Sequence, residues 1–310
     1  MISTASGVLA AIGNTPLVQL GKVVPAGSAR VVAKLETANP TGGMKDRMAL
    51  SAIDAAETSG RLRPGGTVVE YTGGTTGVSL ALVCAARGYR MEIVYSDAFS
   101  EEKGLTMRAL GANVTIVPSE HKRINEALIK RMIETAREIS TKPGTFWTDQ
   151  LNNHDAITGY HALGDELWTQ TDGAIDAFVQ SVGTAHSIHG VARALRAHKP
   201  LRVVAVEPAE SAVLSGGRSG SHRIEGIGIG FVPPLWHPDE VDEIMTVSTD
   251  DAMVMARRLA REEGIFAGTS TGANVVAALR VAERLGTGAT VATIIVDSGL
   301  RYLSTDLFRT

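Results

Sequence analysis

One lysine and a set of glycine-rich turns are the parts of this sequence best suited to chemistry. Asn39-Pro-Thr-Gly-Gly-Met-Lys-Asp-Arg47 is a Pro/Gly-rich turn that delivers Lys45 to the start of an amphipathic helix. A cation there faces the positive end of the helix dipole, which disfavours its charge. An amine whose charge is disfavoured is the better nucleophile. The plainer alternative is a surface lysine, one of 30 basic residues. Two turns, Thr72-Gly-Gly-Thr-Thr-Gly77 and Ser181-Val-Gly-Thr-Ala-His-Ser187, each follow a short apolar strand and precede a helix. Bare N–H groups and hydroxyls at a helix N-terminus bind phosphate or carboxylate. A tight strand-to-helix turn needs glycine for geometry alone, but two such turns interleaved with Thr and Ser point to a ligand with two anionic ends. A third turn, Asp297-Ser-Gly299, closes the set.

Other patterns lead nowhere. Gly226-Ile-Gly-Ile-Gly230 looks like part of a dinucleotide fingerprint, yet Phe231-Val-Pro-Pro234 follows it instead of a helix. Gly268-Thr-Ser-Thr-Gly272 matches a hydrolase nucleophile elbow, whose histidine must come after the serine. The last histidine here, His237, precedes Ser270. His186 and His189 share a helix start without a further Cys or His beside them, so no metal site is expected. Cys84, in Leu80-Ala-Leu-Val-Cys-Ala-Ala86, reads as core.

The elements that position these residues alternate. Strands are expected at 67–71, 90–95, 113–117, 176–180, 201–206 and 289–296, with helices after Lys45, over 77–87, after Ser100 and over about 187–198. Met48, Ala49, Ala52, Ile53 and Ala56 recur at the spacing of a helical stripe. Strand–helix alternation argues for parallel sheets covered on both faces. Lys142-Pro143-Gly144 is the expected crossing between two lobes. The Gly/Ser-rich stretch 207–234 is long enough to be functional.

Composition removes whole classes. The chain has 310 residues, a formal charge of −3 and a single cysteine. A lone thiol excludes an internal disulfide and a Cys-based zinc site, and fits a reducing, cytoplasmic setting. No apolar run approaches the ~18 residues of a membrane span. The first cation is Lys22, which leaves no charged signal-peptide start. A near-neutral balance carries no footprint for nucleic acid. Glycine, at 33 residues, is in excess of the usual ~7%.

Taken in order, the Pro-Thr-Gly-Gly-x-Lys-Asp-Arg segment, the Thr-Gly-x-x-Thr-Gly turn, the Gly-Thr-rich turn and the Ser-Gly near the C-terminus resemble the fold-type II pyridoxal-phosphate enzymes, in their cysteine synthase (O-acetylserine sulfhydrylase) branch. The resemblance runs from Gly13-Asn-Thr-Pro-Leu17 to Arg301-Tyr-Leu-Ser304 and includes Gly226–Phe231, Glu262-Glu-Gly264 with Ala267-Gly268, and Ser270-Thr-Gly272. It implies an α/β fold of the tryptophan synthase β type: two three-layer αβα lobes with mainly parallel sheets. The small mobile lobe would span 36–143 and carry the substrate carboxylate loop. The large lobe, 1–35 with 144–310, would carry the cofactor phosphate loop.

The resemblance also implies roles. Lys45 would form the Schiff base with pyridoxal 5′-phosphate and move the Cα proton. Gly183, Thr184, Ala185, His186 and Ser187 would hold the phosphate, Thr75 would lie at the ring, and Ser298 would bond the pyridine nitrogen. Thr72, Gly73, Gly74, Thr76 and Gln150 would hold the substrate carboxylate, with Gly228 at the entrance. The implied reaction is β-replacement on an activated L-serine through an aminoacrylate. O-acetylserine and sulfide giving L-cysteine and acetate is the leading case. Pure β-elimination (a serine/threonine dehydratase or cysteine desulfhydrase), or another leaving group or nucleophile, is the alternative. A homodimer and a serine acetyltransferase partner are further implications.

The sequence departs from the family pattern in places. Gly73 stands for a serine, Thr75 for an asparagine, and Ala185, His186 and Ser187 for Gly-Gly-Thr. Gly43 replaces a common serine and Leu300 a glutamate. His186 either adds a donor near the phosphate or points to solvent. Lys45 and Ser298 are retained, so activity with altered substrate choice is the expectation.

Overall fold

The computed structural model describes residues 7–122 and 124–309. The ends of the expected large lobe, residues 1–6 and 310, and Arg123 of the expected small lobe lie outside them. In chain order the elements are β1 (Leu17–Gln19), β2 (Arg30–Leu35), α1 (Lys45–Thr58), β3 (Thr67–Tyr71), α2 (Thr75–Arg87), β4 (Arg90–Ser96), α3 (Glu101–Ala109), β5 (Asn113–Val117), α4 (Glu126–Ser140) and β6 (Thr145–Trp147). They continue as α5 (Asp155–Thr158), α6 (His161–Gln170), β7 (Ala177–Ser181), α7 (His186–His198), β8 (Arg202–Pro208), β9 (Glu243–Val247), α8 (Thr249–Arg258), α9 (Thr269–Leu285) and β10 (Thr290–Ile295).

The strands sort into a six-stranded sheet, β1-β2-β10-β7-β8-β9, and a four-stranded sheet, β5-β4-β3-β6. Every pairing is parallel except β1 with β2. Successive residues of a strand face opposite sides, and both sides are covered. Val31, Val179 and Val204 pack with Met255 and Val275 of α8 and α9. Their neighbours Val32, Phe178 and Val203 pack with Leu163 and Ile188 of α6 and α7. In the small sheet Val68 and Ile93 meet α1 and α2, while Val69 and Val94 meet α4. The expected three-layer αβα architecture is therefore present twice.

Helix α1 joins the two. All five residues of its stripe are fully buried. Met48 belongs to the large-sheet core, whereas Ala49, Ile53 and Ala56 belong to the small-sheet core. The crossing expected at Lys142-Pro143-Gly144 falls elsewhere. Gly144 turns at φ 74°, and Thr145–Trp147 then pairs with β3 as β6. The small sheet thus continues past residue 143, and the chain returns to the large sheet only after Trp147.

Topology places the loops. From β7 the chain steps outward to β8 and β9, then returns as β10 between β2 and β7. Ligands in open parallel sheets bind at the carboxyl ends of the strands where the order reverses. The loops that leave β2, β7 and β10 there lead into Lys45 at the start of α1, run through Gly183–Ala185 to His186 and Ser187 at the start of α7, and contain Ser298.

Candidate active site

Lys45 is the first residue of α1, as the sequence implies. Burial pushes its amine down to about 8. Desolvation is the cause. At pH 7.5 about a quarter of such amines are neutral, against roughly 0.1% at the ordinary value. Both neighbours of Lys45 in sequence fix its position. Asp46 accepts from the Thr41 N–H (2.8 Å), the Thr41 hydroxyl (2.5 Å) and the Ser79 hydroxyl (2.6 Å). Met44 N–H donates to the Val296 carbonyl (2.9 Å). Two residues after Lys45, Arg47 forks onto Glu36 (2.7 and 2.9 Å) and Glu166 (2.7 and 2.8 Å), and Lys34 adds a contact to Glu166 (2.7 Å). A bidentate arginine gives direction as well as attraction, so the start of α1 is clamped to the large sheet.

The turn after β10 lies against this loop. Ser298 N–H donates to the Gly42 carbonyl (2.8 Å), and Gly43 bridges Asp297. A Cβ on Gly42 would sit 3.3 Å from Ser298 Cβ, and one on Gly43 would sit 3.2 Å from Asp297 Cβ. The glycine that replaces a family serine at position 43 therefore stands in a narrow space. Ser298 Oγ accepts from the Leu300 N–H (3.3 Å).

At the end of β7 the chain meets the 226–228 segment. A Cβ on Gly183 would lie 2.3 Å from the Gly226 carbonyl oxygen, so no side chain fits. Ala185 holds φ 69°, the left-handed region, and α7 begins without a side-chain cap. His186 is buried, which removes the solvent-pointing alternative. Its Nδ1 lies 2.8 Å from the Thr184 hydroxyl, and its Nε2 is buried with no partner. With the hydroxyl donating to Nδ1, Nε2 carries the proton and lacks an acceptor. Desolvation, followed by the charge of Lys45, holds this imidazole well below its usual range, so it is neutral. Ser187 Oγ accepts from Gln180 (2.5 Å), whose amide also lies 3.7 Å from Met44 Sδ. Gly228 holds φ 60°; its carbonyl pairs with His222 Nε2 (2.8 Å) and its N–H donates to the Val182 carbonyl (3.2 Å).

The loop after β3 is held differently. Gly74 turns at φ 125°, which starts α2 at Thr75, two residues before the expected Gly77. Thr72 Oγ1 accepts from the N–H groups of Gly74 (2.9 Å) and Gly77 (3.2 Å) and so organises the loop from within. Thr75 donates to Asp297 (3.3 Å), which brings this loop to the Ser298 turn. Thr76 donates to Gln150 Oε1 (2.9 Å), and Gln150 Nε2 donates to the Tyr71 carbonyl (2.7 Å). Behind them lies Glu70, which sequence reasoning missed. It accepts from Thr148 Oγ1 (2.6 Å), Gln150 N–H (2.9 Å), Tyr71 N–H (3.0 Å) and Trp147 Nε1 (3.3 Å). Burial pushes its carboxyl up to about 8 against the pull of these donors. A carboxylate between the apolar residues of Val68-Val-Glu-Tyr71 was the available signal.

Some of the expected residues are joined by a chain of contacts that runs from Thr75 and Asp297 to Ser298, Gly42, Met44, Gln180 and Ser187. The Gly183–Ser187 turn has features that fit an anion. An uncapped start to a 13-residue helix, a glycine with no space for a side chain and an orphaned buried imidazole together match a close-lying anion.

The profile of the family described as pyridoxal-phosphate dependent enzyme matches residues 8–297. Cysteine synthase of Staphylococcus aureus is 43% identical over 301 residues, which cover 96% of this chain and 95% of that protein. Among solved structures, cysteine synthase of Entamoeba histolytica superposes with a TM-score of 0.92 at 36% identity, covering 100% of this chain and 92% of that one. An O-ureido-L-serine synthase superposes equally well, with a TM-score of 0.92 at 37% identity over 99% of this chain and 96% of that one. The chain belongs to the pyridoxal-phosphate-dependent enzyme family, and pyridoxal 5′-phosphate is its cofactor. No helix among the described residues is long and apolar enough to cross a membrane.

Proposed function

We propose that the protein catalyses β-replacement on an activated L-serine, with O-acetyl-L-serine and sulfide giving L-cysteine and acetate. The observation that carries this reading is the place of Lys45 at the start of α1, directly after a loop tied to the Ser298 turn (Ser298 N–H to the Gly42 carbonyl, 2.8 Å) and to Gln180, the partner of Ser187, with burial pushing its amine down to about 8. The 43% identity to a cysteine synthase supports the same reaction. In this reading Gly183, Thr184, Ala185, His186 and Ser187 hold the cofactor phosphate through the start of α7. Ser298 faces the pyridine nitrogen, and Thr75 lies at the ring. Thr72, Gly73, Gly74, Thr76 and Gln150 receive the substrate carboxylate, with Gly228 at the entrance. When bound, the cofactor supplies an electron sink for the charge released at Cα. Lys45 takes the Cα proton and returns it after the nucleophile has added. A neutral serine hydroxyl opposite the pyridine nitrogen does not enforce its protonation as a carboxylic acid would. The sink is then weaker, and loss of a β-leaving group is favoured over transamination.

A different nucleophile remains the second reading, because an O-ureido-L-serine synthase matches as closely as a cysteine synthase in structure. The small lobe is taken as the unit that closes on substrate, starting near residue 36 and ending after Trp147. A homodimer, a cytoplasmic setting and a serine acetyltransferase partner follow from the family resemblance.

Product analysis with and without sulfide tests the reaction. L-cysteine formed only with sulfide supports it, whereas pyruvate and ammonia at the same rate in both arms would establish β-elimination. Crossing O-acetyl-L-serine with hydroxyurea and thiols identifies the nucleophile. Lys45→Ala is expected to lose the visible absorbance of lysine-bound cofactor and at least a thousandfold in turnover. Retention of that absorbance would remove Lys45 from its role.

A further inference from the structure

Three side chains of the small lobe, each four residues from the next, meet three glycines of the substrate loop. A Cβ on Gly73 would lie 3.0 Å from Phe99 Cε1, one on Gly74 would lie 2.3 Å from Lys103 Cδ, and one on Gly77 would lie 2.5 Å from Met107 Sδ. Lys103 and Met107, four apart on α3, share a face, and Phe99, two residues before the helix, extends this ridge along the loop. The Gly73 that departs from the family's serine is part of this contact.

The middle residue of the ridge is charged and buried. Lys103 is 2% exposed, and its methylenes lie along Gly74. Its Nζ reaches Glu225 (2.5 Å) and the Tyr302 hydroxyl (3.4 Å), with the Tyr302 ring centroid 4.4 Å away. Tyr302 donates to Asp297 (2.8 Å), which also accepts from Thr75 (3.3 Å). Glu225 is placed in turn by Thr269 Oγ1, which accepts its N–H (3.1 Å), and it directly precedes the Gly226–Phe231 segment. Beside Lys103, Glu102 accepts from the Ser304 N–H (2.6 Å) and hydroxyl (2.5 Å). The first turn of α3 therefore grips the large lobe twice. Around this grip the surfaces stand apart, since Glu225 and Tyr302 also line a cavity of about 790 Å³ between α3 and the C-terminal segment.

An ion pair removed from water adds little net stability, because desolvation offsets the attraction; breaking it leaves a buried charge alone. What it supplies is direction. We propose that the Lys103–Glu225 bridge is an interlobe latch that positions the Thr72–Thr76 loop for the substrate carboxylate. Lys103 is a positioning residue: it touches the back of the loop, not the reacting atoms. The bridge sets the distance from the small-lobe loop to the entrance segment 226–231. It also leaves both free to separate together when the lobes part.

The inference rests on the carboxylate role proposed for this loop, and its test reads the latch separately from that role. Lys103→Met keeps the methylene stem against Gly74 and removes the charge, and Glu225→Gln removes the other half. In cofactor-loaded protein, each single variant is expected to keep the wild-type absorbance but to lower the melting temperature, because the charge left behind has lost its partner; the double variant should recover much of that loss. Each is expected to raise amide hydrogen exchange at least tenfold in both 72–77 and 224–231. The double variant should show the same increase rather than its square. The apparent dissociation constant for O-acetyl-L-serine, read from the cofactor spectrum, should rise about tenfold in all three. Unchanged exchange in Lys103→Met, or exchange raised by Lys103→Met and not by Glu225→Gln, overturns the latch. Raised exchange with unchanged O-acetyl-L-serine binding keeps the latch and instead removes the carboxylate role from the loop.

Discussion

At the end of β7 the chain turns through Gly183 and Ala185 with backbone against backbone. At the end of β3 the turn through Thr72–Thr76 is held by side chains that reach it from β6, α3 and the C-terminal segment. In the first case the neighbour of Gly183 is the Gly226 carbonyl, and the helix start is uncapped. In the second, Thr76 rests on Gln150, Gln150 on Glu70, and Gly74 on the stem of Lys103. The difference suits the two tasks proposed for these loops. A phosphate that stays bound wants a fixed nest of N–H groups. A carboxylate that enters and leaves wants a loop that can loosen, and a loop held by side chains loosens when they move.

Breaking the fixed half should have the larger effect. Gly183→Ala places a Cβ 2.3 Å from a carbonyl oxygen that belongs to backbone, so the main chain must move. Overpacking of this kind costs about 1–3 kcal/mol, and misplacement of a binding group by ~1 Å costs about a hundredfold. The variant is expected to bind pyridoxal 5′-phosphate about a hundredfold more weakly in equilibrium titration, with a melting temperature several degrees lower. Wild-type cofactor affinity would show that the 226–228 segment yields easily and that this half is not fixed.

Weakening the side-chain half should act on substrate and spare the cofactor. Glu70→Gln replaces one acceptor oxygen by an N–H₂ group where Thr148, Gln150, Tyr71 and Trp147 all donate. Leaving a buried donor without its acceptor costs about 1–3 kcal/mol. The KM for the amino-acid substrate is expected to rise roughly tenfold, on the scale of ~1.4 kcal/mol per decade, with cofactor loading unchanged. The pH dependence has a definite sign. The folded carboxyl is raised to about 8 from its ordinary 4.5, so the folded state holds the proton that the unfolded state has lost. Stability assigned to Glu70 is complete below about pH 4.5 and is lost as pH rises towards 8. Glu70→Gln cannot ionise and should flatten that part of the stability–pH curve. An unaltered curve would mean that the four donors keep Glu70 ionised throughout.

The same contrast explains what the sequence discloses. The turns at 72–77, 181–187 and 297–299 are legible because glycine, threonine and serine in a strand-to-helix turn are local signals. The stripe of α1 and most strands are legible from periodicity for the same reason. Glu70, Lys103, Glu36 and Glu166 are not, since each acts on a partner far along the chain and its type alone does not name that partner. Arg47 and Glu166 are 119 residues apart, and Lys103 and Glu225 are 122 apart. The crossing was misplaced for a related reason. Lys142-Pro143-Gly144 has the composition of a linker, but the three residues after it find their place only by pairing with β3, 78 residues earlier. Ser100 shows the limit of local grammar. It precedes α3 as a cap should, yet its hydroxyl has no partner and its carbonyl takes the Tyr95 O–H (2.8 Å).

The smallest effect is expected where the fixed half departs from the family's glycine. Ala185 at φ 69° carries the cost of a left-handed alanine, about 1–2 kcal/mol. Ala185→Gly removes that cost, while the added freedom of glycine in the unfolded chain returns about 0.4–1 kcal/mol of it. A net gain of up to about 1 kcal/mol follows, seen as a melting temperature one to three degrees higher. Affinity for pyridoxal 5′-phosphate should stay within about twofold of wild type, because the Cβ removed lies in a loop whose working groups are backbone N–H. A loss of stability would show instead that the buried Cβ of Ala185, which packs in the core beside Ile188 and Val182, contributes more than the strained backbone costs. The alanine would then be a packing residue of the large lobe, and the phosphate loop would depend on side chains after all, as its counterpart at 72–76 does.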